Sequence, residues 1–472
     1  MARPLGAFVA RLFGVEPARQ AQIDTAAREA AIFRMKHFVV RRASKKYPEE
    51  KVPADDPAAL RDSIRKLAAE SFPELVTAGD DELTFATVLD ALIAREKANP
   101  AAAADIDVFE RWASVHRFVP AAHAGVKGWV AFHFPHFVDH EDLVPLRRPD
   151  AKLQGITEGP PEHRRRRDGF GLTDPRMSRR EVASEADYCL YCHEREKDSC
   201  STGMHDKSGA VKRNPLGVKI NGCPLDEKIG EMHVLRKDGD SIAALAMIVV
   251  DNPMLPGTGH RICNDCMKGC VFQKQEPVNI PQAETGVLTD VLGMRWGFEI
   301  YSLLTRWNPL NRARPVARPY IGKNVLVVGL GPAGFTLAHH LVNAGFGVVG
   351  IDGLKVEPLP ADVVGADKWP PRAIESWKEL STPLDERRLA GFGGVAEYGI
   401  TVRWDKNYLK MVRLLLERRG QFSMFGGVRF GGTVTVENAL AMGFDHVALC
   451  AGAGKPTVLD LPNGLARGVR AA

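Results

Sequence analysis

At 472 residues the chain has room for two or three domains, each able to bury a core of its own. Hydrophobic residues make up 45% and charged residues 26%, the balance of an ordinary globular protein, which excludes a disordered or fibrous chain. The net charge of +5, from 63 basic and 58 acidic residues, is too small to argue for nucleic acid, and no apolar run is long enough to span a bilayer.

Residues 1–14 are apolar, with Arg3 and Arg11 and no acid, but no small-residue cleavage pattern follows. They predict a short N-terminal helix. Residues 1–150 as a whole read as an α-helical extension without assigned chemistry. Apolar residues recur at helical spacing in Ile32, Met35 and Val39, in Leu60, Ile64 and Leu67, and in Phe85, Leu89 and Leu92. Pro53, Pro57, Pro73 and Pro100 punctuate these segments, and Asp80 or Asp81 is placed to cap the third. His133, His136 and His140 lie close together, but Pro135 keeps them off one helical face, so aromatic core and surface histidines are preferred to a metal site. Residues 151–180 are rich in Pro, Gly and Arg and predict a linker; Arg164, Arg165, Arg166 and Arg167 within it read as solvated.

Residues 181–311 hold seven of the eight cysteines. Cys189, Cys192 and Cys200 form one run, with Cys223 beyond it and directly before Pro224; Cys263, Cys266 and Cys270 form the other. Without a secretory signal the expected compartment is reducing and cytoplasmic, which favours metal or cluster ligation over disulfides. Seven thiolates overfill one tetrahedral zinc site and underfill two. In ferredoxin-type proteins three cysteines of a run hold one iron–sulfur cluster and a fourth, followed by proline, reaches the other, which is the form of Cys223. Short helices are expected at Asp226 to Leu235 and at Asp240 to Val250. The loop from Ser201 to Gly222 carries Lys207, Lys212, Arg213 and Lys219, as a partner-docking insertion or, by preference, a solvated one. Residues 312–319 are a second Pro- and Arg-rich connector.

From Tyr320 onward the pattern becomes α/β. Val325 to Val328 reads as a buried parallel strand, and Phe335 to Ala344 as the helix after it. Between them, Gly329 permits a tight turn, Gly331 lets backbone approach a pyrophosphate, and Gly334 allows close helix-to-strand packing. A second strand, Val348 to Ile351, ends at Asp352, where an acid accepts hydrogen bonds from ribose hydroxyls. The turn alone does not separate FAD from NAD. Cys450, after the apolar run Val447 to Leu449, reads as a buried structural thiol.

The cysteine pattern, the segment from Asn252 and Pro253 through Gly259, His260, Arg261 and Ile262 to Cys263, and the later Pro277, Val278, Asn279, Ile280 resemble the cluster domain of the glutamate synthase small subunit family. That family also includes part of dihydropyrimidine dehydrogenase and NADPH:ferredoxin oxidoreductase subunits. The resemblance implies a multi-domain fold: an α-helical N-terminal region, an α-helical domain at 181–311 binding two [4Fe-4S] clusters, and the first part of a Rossmann-like α/β FAD-binding domain at 320–472. It puts Cys189, Cys192, Cys200 and Cys270 on one cluster. Cys223, Cys263 and Cys266 fall on the other, with Glu284, ahead of Gln282, as the eighth ligand.

In the α/β part, Pro332 and Ala333 inside the glycine turn resemble the flavin-binding version. Gly393, Gly394, Val395, Tyr398, Gly399 and Ile400 resemble a segment passing near the flavin, and Ala451, Gly452, Ala453 and Gly454 the end of the first half of the FAD domain. The implied function is an FAD-dependent NAD(P)H oxidoreductase that passes electrons through iron–sulfur clusters to an electron-acceptor protein or large subunit, with NAD(P)H bound by a domain outside this chain. The alternatives are an electron-transfer subunit without catalysis of its own and a zinc-stabilised adaptor. No side chain is assigned as a catalytic acid or base. The chain departs from the family in the wide gaps between Cys192, Cys200 and Cys223, and in Pro-rich material at 353–391.

Overall fold

The first helix, α1 (Ala2–Phe13), ends where Gly14 takes a left-handed conformation and its N–H closes on the carbonyls of Ala10 and Arg11. Its apolar stripe of Leu5, Val9 and Ala10 packs mainly on α8 (Ser241–Asp251), more than two hundred residues away. The computed structural model describes residues 1–144, 146–153, 155–161, 176–259, 263–384, 386, 391–395, 405–453, 462–464 and 466–467. The arginine run at 164–167, the segment His260 to Ile262, and Tyr398, Gly399, Ile400 and Gly454 lie outside these residues.

A helical body follows, made of α2 (Glu16–Phe38), α3 (Pro57–Ser71), α4 (Asp81–Arg95) and α5 (Pro100–Phe118). Asp56 and Asp80 cap α3 and α4, their carboxylates accepting from Ala58 N–H at 3.1 Å and Leu83 N–H at 3.0 Å. Ile32, Met35, Ile64, Phe85, Leu89, Phe109 and Trp112 fill its core, each worth about 1.5–3 kcal/mol of burial. His133 lines a small cleft beside this core, and burial lowers its pKa. Among the described residues neither it nor any other set of three His, Cys, Asp or Glu forms a group able to hold a metal ion.

This body is tied to α6 (Arg179–Tyr188), the helix that leads into the first cysteine. Arg180 meets Asp80, Glu82 at 3.1 Å and Glu29 at 3.3 Å, and Arg179 meets Glu29 at 2.6 Å. Ser178 and Glu181 close a capping box at the start of α6, which therefore opens two residues inside the segment 151–180 predicted as a linker. A short antiparallel bridge from Phe137 to Gln275 joins the two regions again.

The cysteine region is built on α7 (Ile229–Lys237), α8, α9 (Asp265–Gly269), α10 (Ile280–Leu292) and α11 (Gly297–Leu304). α7 starts three residues later than the sequence predicts, because Asp226 sits at a left-handed φ of 50° and a helix cannot pass through it. Asp240 caps α8, its carboxylate accepting from Ala243 N–H at 3.3 Å.

The α/β region carries β1 (Asn324–Val328), α12 (Pro332–Asn343), β2 (Gly347–Asp352), α13 (Leu409–Glu417), β3 (Phe422–Gly426), α14 (Val436–Ala441) and β4 (His446–Leu449). Among the described residues the sheet has four strands in the order β3–β2–β1–β4, all parallel. The chain therefore winds outward from β1 through β2 to β3 and then crosses back to β4 on the other side of β1. One core runs from α1 through α8, α10 and α11 into the sheet and α12 and α13, so the cysteine and α/β regions are packed as one body. Among the described residues no helix is long and apolar enough to cross a membrane.

Candidate functional site

The seven cysteines of the two runs are all free thiols; Cys189, Cys200, Cys223, Cys266 and Cys270 gather around a small core with Ile229, Val278 and Ile280, while Cys263 is exposed. The loops approach so closely that only glycine fits at the crossings. A Cβ at Gly222, where φ is 77°, would lie 2.4 Å from the Gly203 nitrogen, and one at Gly269 would lie 2.7 Å from the Ser199 carbonyl oxygen. Through this knot the Cys223 N–H donates to the Cys200 carbonyl at 2.9 Å, joining the two runs by backbone.

The thiols fall into two neighbourhoods. Burial pushes Cys189 up to about 12, with Cys270 and Cys192 adding to it, and burial together with Asp198, Cys270 and Cys189 raises Cys200. Cys270 is raised by burial and by Cys192. In the second neighbourhood, burial raises Cys223 and Cys266, with Glu227 and Cys263 acting on the first and Glu284, Glu227, Cys223 and Cys263 on the second. Glu284, on α10, is buried and its carboxyl is held well above the usual range by desolvation and by Glu227, to which it is hydrogen-bonded. Gln282 points elsewhere: its carbonyl oxygen accepts from Met177 N–H at 2.9 Å.

Glu227 is the residue that sequence reasoning misses. It stands just before α7, is buried, and shares a proton-bearing contact with Glu284 beside Cys266. Its only signal in the sequence is an acid four positions after Cys223, which nothing in a spacing argument singles out.

These donors fit a buried cationic group. Thiols and carboxyls that are costly to ionise by burial become stable anions when a metal centre supplies positive charge, and ligation deprotonates them. A cubane cluster takes one ligand at each of four separated corners.

The second candidate site lies at the carboxyl ends of β1, β2 and β4, in the crevice where the strand order reverses. Gly329 has a φ of 93°, and a Cβ there would lie 2.5 Å from the Cys450 carbonyl oxygen; one at Gly334 would lie 1.8 Å from the Gly329 oxygen. Both glycines are required by the fold itself. Gly331 is different: its φ is −75°, and a Cβ there would meet only Gly393 O and Gly394 Cα, at 3.7 and 3.8 Å. Packing permits a side chain at this position, so close approach of a ligand is the remaining reason for glycine.

The structure thus brings Gly329, Gly331, Pro332, Ala333, Gly334 and Gly394 together, and the Cys450–Gly452 turn closes on the same loop. Gly452, at a φ of 68°, has nothing within 4 Å of an added Cβ. Cys450 is half-buried against the core rather than fully enclosed. Asp352 reaches this crevice, but its carboxylate already accepts from Leu330 N–H and Leu354 N–H, each at 2.9 Å. It shapes the turn as well as facing the ribose position. α12 begins at the turn and offers its first amides and dipole end to an anion. One turn into α12, Phe335 packs on Gly257, on the segment that leads toward the second cysteine run.

No family model matches the chain. It is 51% identical over 219 residues to an uncharacterised protein of Rickettsia prowazekii, covering 46% of this chain and 30% of that protein. A second uncharacterised protein of the same organism is 27% identical over 241 residues, 46% of this chain and 75% of its own length. The glutamate synthase (NADPH) small chain of Mycobacterium tuberculosis is 27% identical over 255 residues, 53% of this chain and 41% of that one. The chain is thus distantly similar, over about half its length, to an oxidoreductase subunit.

Proposed function

We propose that the protein is an iron–sulfur flavoprotein oxidoreductase subunit that carries electrons between NAD(P)H, FAD and two [4Fe-4S] clusters and hands them to a partner protein. The observation that supports this best is the gathering of cysteines of both runs around one small core, with Glu284 and Glu227 buried beside Cys266, in a chain that also carries a glycine-turn crevice. The distant similarity to a glutamate synthase small chain agrees with it.

In this reading Cys189, Cys192, Cys200 and Cys270 hold one cluster, and Cys223, Cys263, Cys266 and Glu284 the other, with Glu227 orienting Glu284. Gly331 and the start of α12 receive the FAD pyrophosphate, and Asp352 the ribose. A flavin held there would supply the change from two-electron hydride chemistry with NAD(P)H to one-electron transfer toward the clusters. The protein's own work is to fix these groups at short range, keep water from the buried thiolates and hold Glu284 against Cys266.

Anaerobically purified protein is expected to be brown and to contain iron and acid-labile sulfide for two four-iron clusters. Paramagnetic resonance of reduced variants is expected to show Cys192→Ser and Cys266→Ser erasing different signals, with Glu227→Gln altering the signal that Cys266→Ser removes. Stoichiometric zinc without labile sulfide would replace this reading with that of a zinc-stabilised adaptor.

A further inference from the structure

We propose that residues 203–221, the arm between Cys200 and Cys223, form the docking surface for a small acidic electron-carrier protein. The inference rests on the cluster reading above for the meaning of docking there, and on geometry for the surface itself.

The arm is an ordered piece of structure and not a slack loop. Met204 N–H donates to Ile220 O, Lys212 N–H to Met204 O and Ile220 N–H to Lys212 O, each at 2.9 Å, so three short extended segments lie side by side. Antiparallel bridges pair His205 with Val211 and Arg213 with Lys219. Both tips are locked: Asp206 accepts from Ser208 N–H at 2.8 Å and Ala210 N–H at 3.1 Å, and Asn214 from Leu216 N–H at 3.1 Å and Val218 N–H at 2.9 Å. A rigid frame presents side chains at low entropic cost on binding.

That frame carries Lys207, Lys212, Arg213 and Lys219, and its one acid, Asp206, is occupied by the tip turn. None of the four cations forms a salt bridge among the described residues; Arg213 donates to the Gly217 carbonyl of its own turn. The ends of the arm are Cys200 and Cys223, one from each thiol neighbourhood, bonded to each other through backbone. Beside them, large apolar side chains adjoin the candidate ligands and stay exposed: Leu190, Leu225 and Val271, with Leu216 and Val218 on the arm.

Exposed apolar side chains next to the candidate ligands in sequence, together with a cationic arm between the two cysteine runs, fit a partner with an apolar contact ring and an acidic rim. Small transient interfaces of redox partners are of this kind, with charge setting encounter and orientation. The transfer is of one electron, from a reduced cluster to the oxidised iron–sulfur centre of the carrier, with no bond made or broken.

The test uses the full chain, a plant-type ferredoxin as acidic probe, cytochrome c as basic probe, and phosphatidylglycerol vesicles as an anionic surface. Reversing Lys207, Lys212, Arg213 and Lys219 to Glu leaves iron and sulfide content unchanged and weakens ferredoxin binding by about tenfold or more at low salt. The dependence on ionic strength flattens or reverses, cytochrome c binds more tightly, and reoxidation of dithionite-reduced protein by ferredoxin slows in parallel. Equal ferredoxin binding by wild type and variant overturns the proposal, as does a loss confined to the vesicles. If the chain holds no clusters, reduced protein does not accumulate and the cluster reading fails, while the binding measurement still decides the surface.

Discussion

The cysteine region holds its candidate ligands on loops that cross through glycines, whereas the α/β region sets its turn between regular strands and a helix. In the first, buried donors such as Cys223, Cys266, Cys270 and Glu284 come together with Cys189, from segments far apart in the chain. In the second, hydrogen bonds of a parallel sheet fix Gly329 and Asp352 whatever occupies the crevice. One site is completed by what it binds, and the other is preformed by the backbone. Yet the helices of the two regions, α8, α10 and α11 on one side and α12 and α13 on the other, pack into a single apolar core, so stability lost in one region is felt in the other.

The sharpest way to break this contrast is a pair of glycine substitutions. Gly222→Ala adds a methyl group 2.4 Å from a backbone nitrogen at a φ of 77°, so overpacking and left-handed strain add. The expected loss is about 4 kcal/mol or more, read by urea unfolding. Gly331→Ala meets nothing closer than 3.7 Å and is expected to change unfolding by about 0.5 kcal/mol or less while weakening FAD binding. If Gly331→Ala destabilises as much as Gly222→Ala, the crevice glycine serves packing and its ligand role is lost.

Why one region is legible in sequence and the other only in part follows from the same contrast. β1, α12 and β2 are written in local periodicity, and the structure places them where Val325, Phe335 and Val348 predict, with α12 starting earlier because Pro332 is well suited to a first turn. Asp80 caps the helix its spacing indicates, and the helix expected from Asp240 forms at Ser241–Asp251. By contrast β3 is short and half-exposed, with no alternation to read. The attachment of α1 to α8, and the meeting of Glu227 with Glu284, are long-range events that no local pattern encodes. The thiols are conspicuous in sequence, but which of them are neighbours is a property of how the loops cross.

Acid probes whether the two regions unfold together. His233, on α7, is fully buried with neither ring nitrogen partnered, and burial lowers its pKa from 6.5 to about 4; His339, on α12, is lowered to about 3. Between these values and 6.5 the unfolded chain takes up protons that the folded chain refuses, so stability falls as pH falls through that window and is fully present above it. His233 alone accounts for about 3 kcal/mol. His233→Phe is expected to flatten the pH dependence for cysteine-region and α/β-region probes alike. A change confined to the cysteine-region signal would mean that the shared core does not couple them.

The smallest expected effect tests the double duty of Asp352, whose carboxylate serves the turn through Leu330 and Leu354 and is proposed to serve the ribose as well. Asp352→Ala removes all of these acceptors and is expected to cost about 1–3 kcal/mol of FAD affinity, together with a smaller loss of apoprotein stability from the two orphaned amides. Asp352→Asn keeps the size and one carbonyl oxygen but loses the charge, so it retains most of the turn while giving up about 1 kcal/mol of FAD affinity. Titration of FAD into apoprotein, compared with urea unfolding of the same samples, separates the roles. If both variants bind FAD as the wild type does while Asp352→Ala alone unfolds more easily, the acid belongs to the preformed backbone and not to the ligand. The preformed site would then rest on Gly331 and the α12 amides alone.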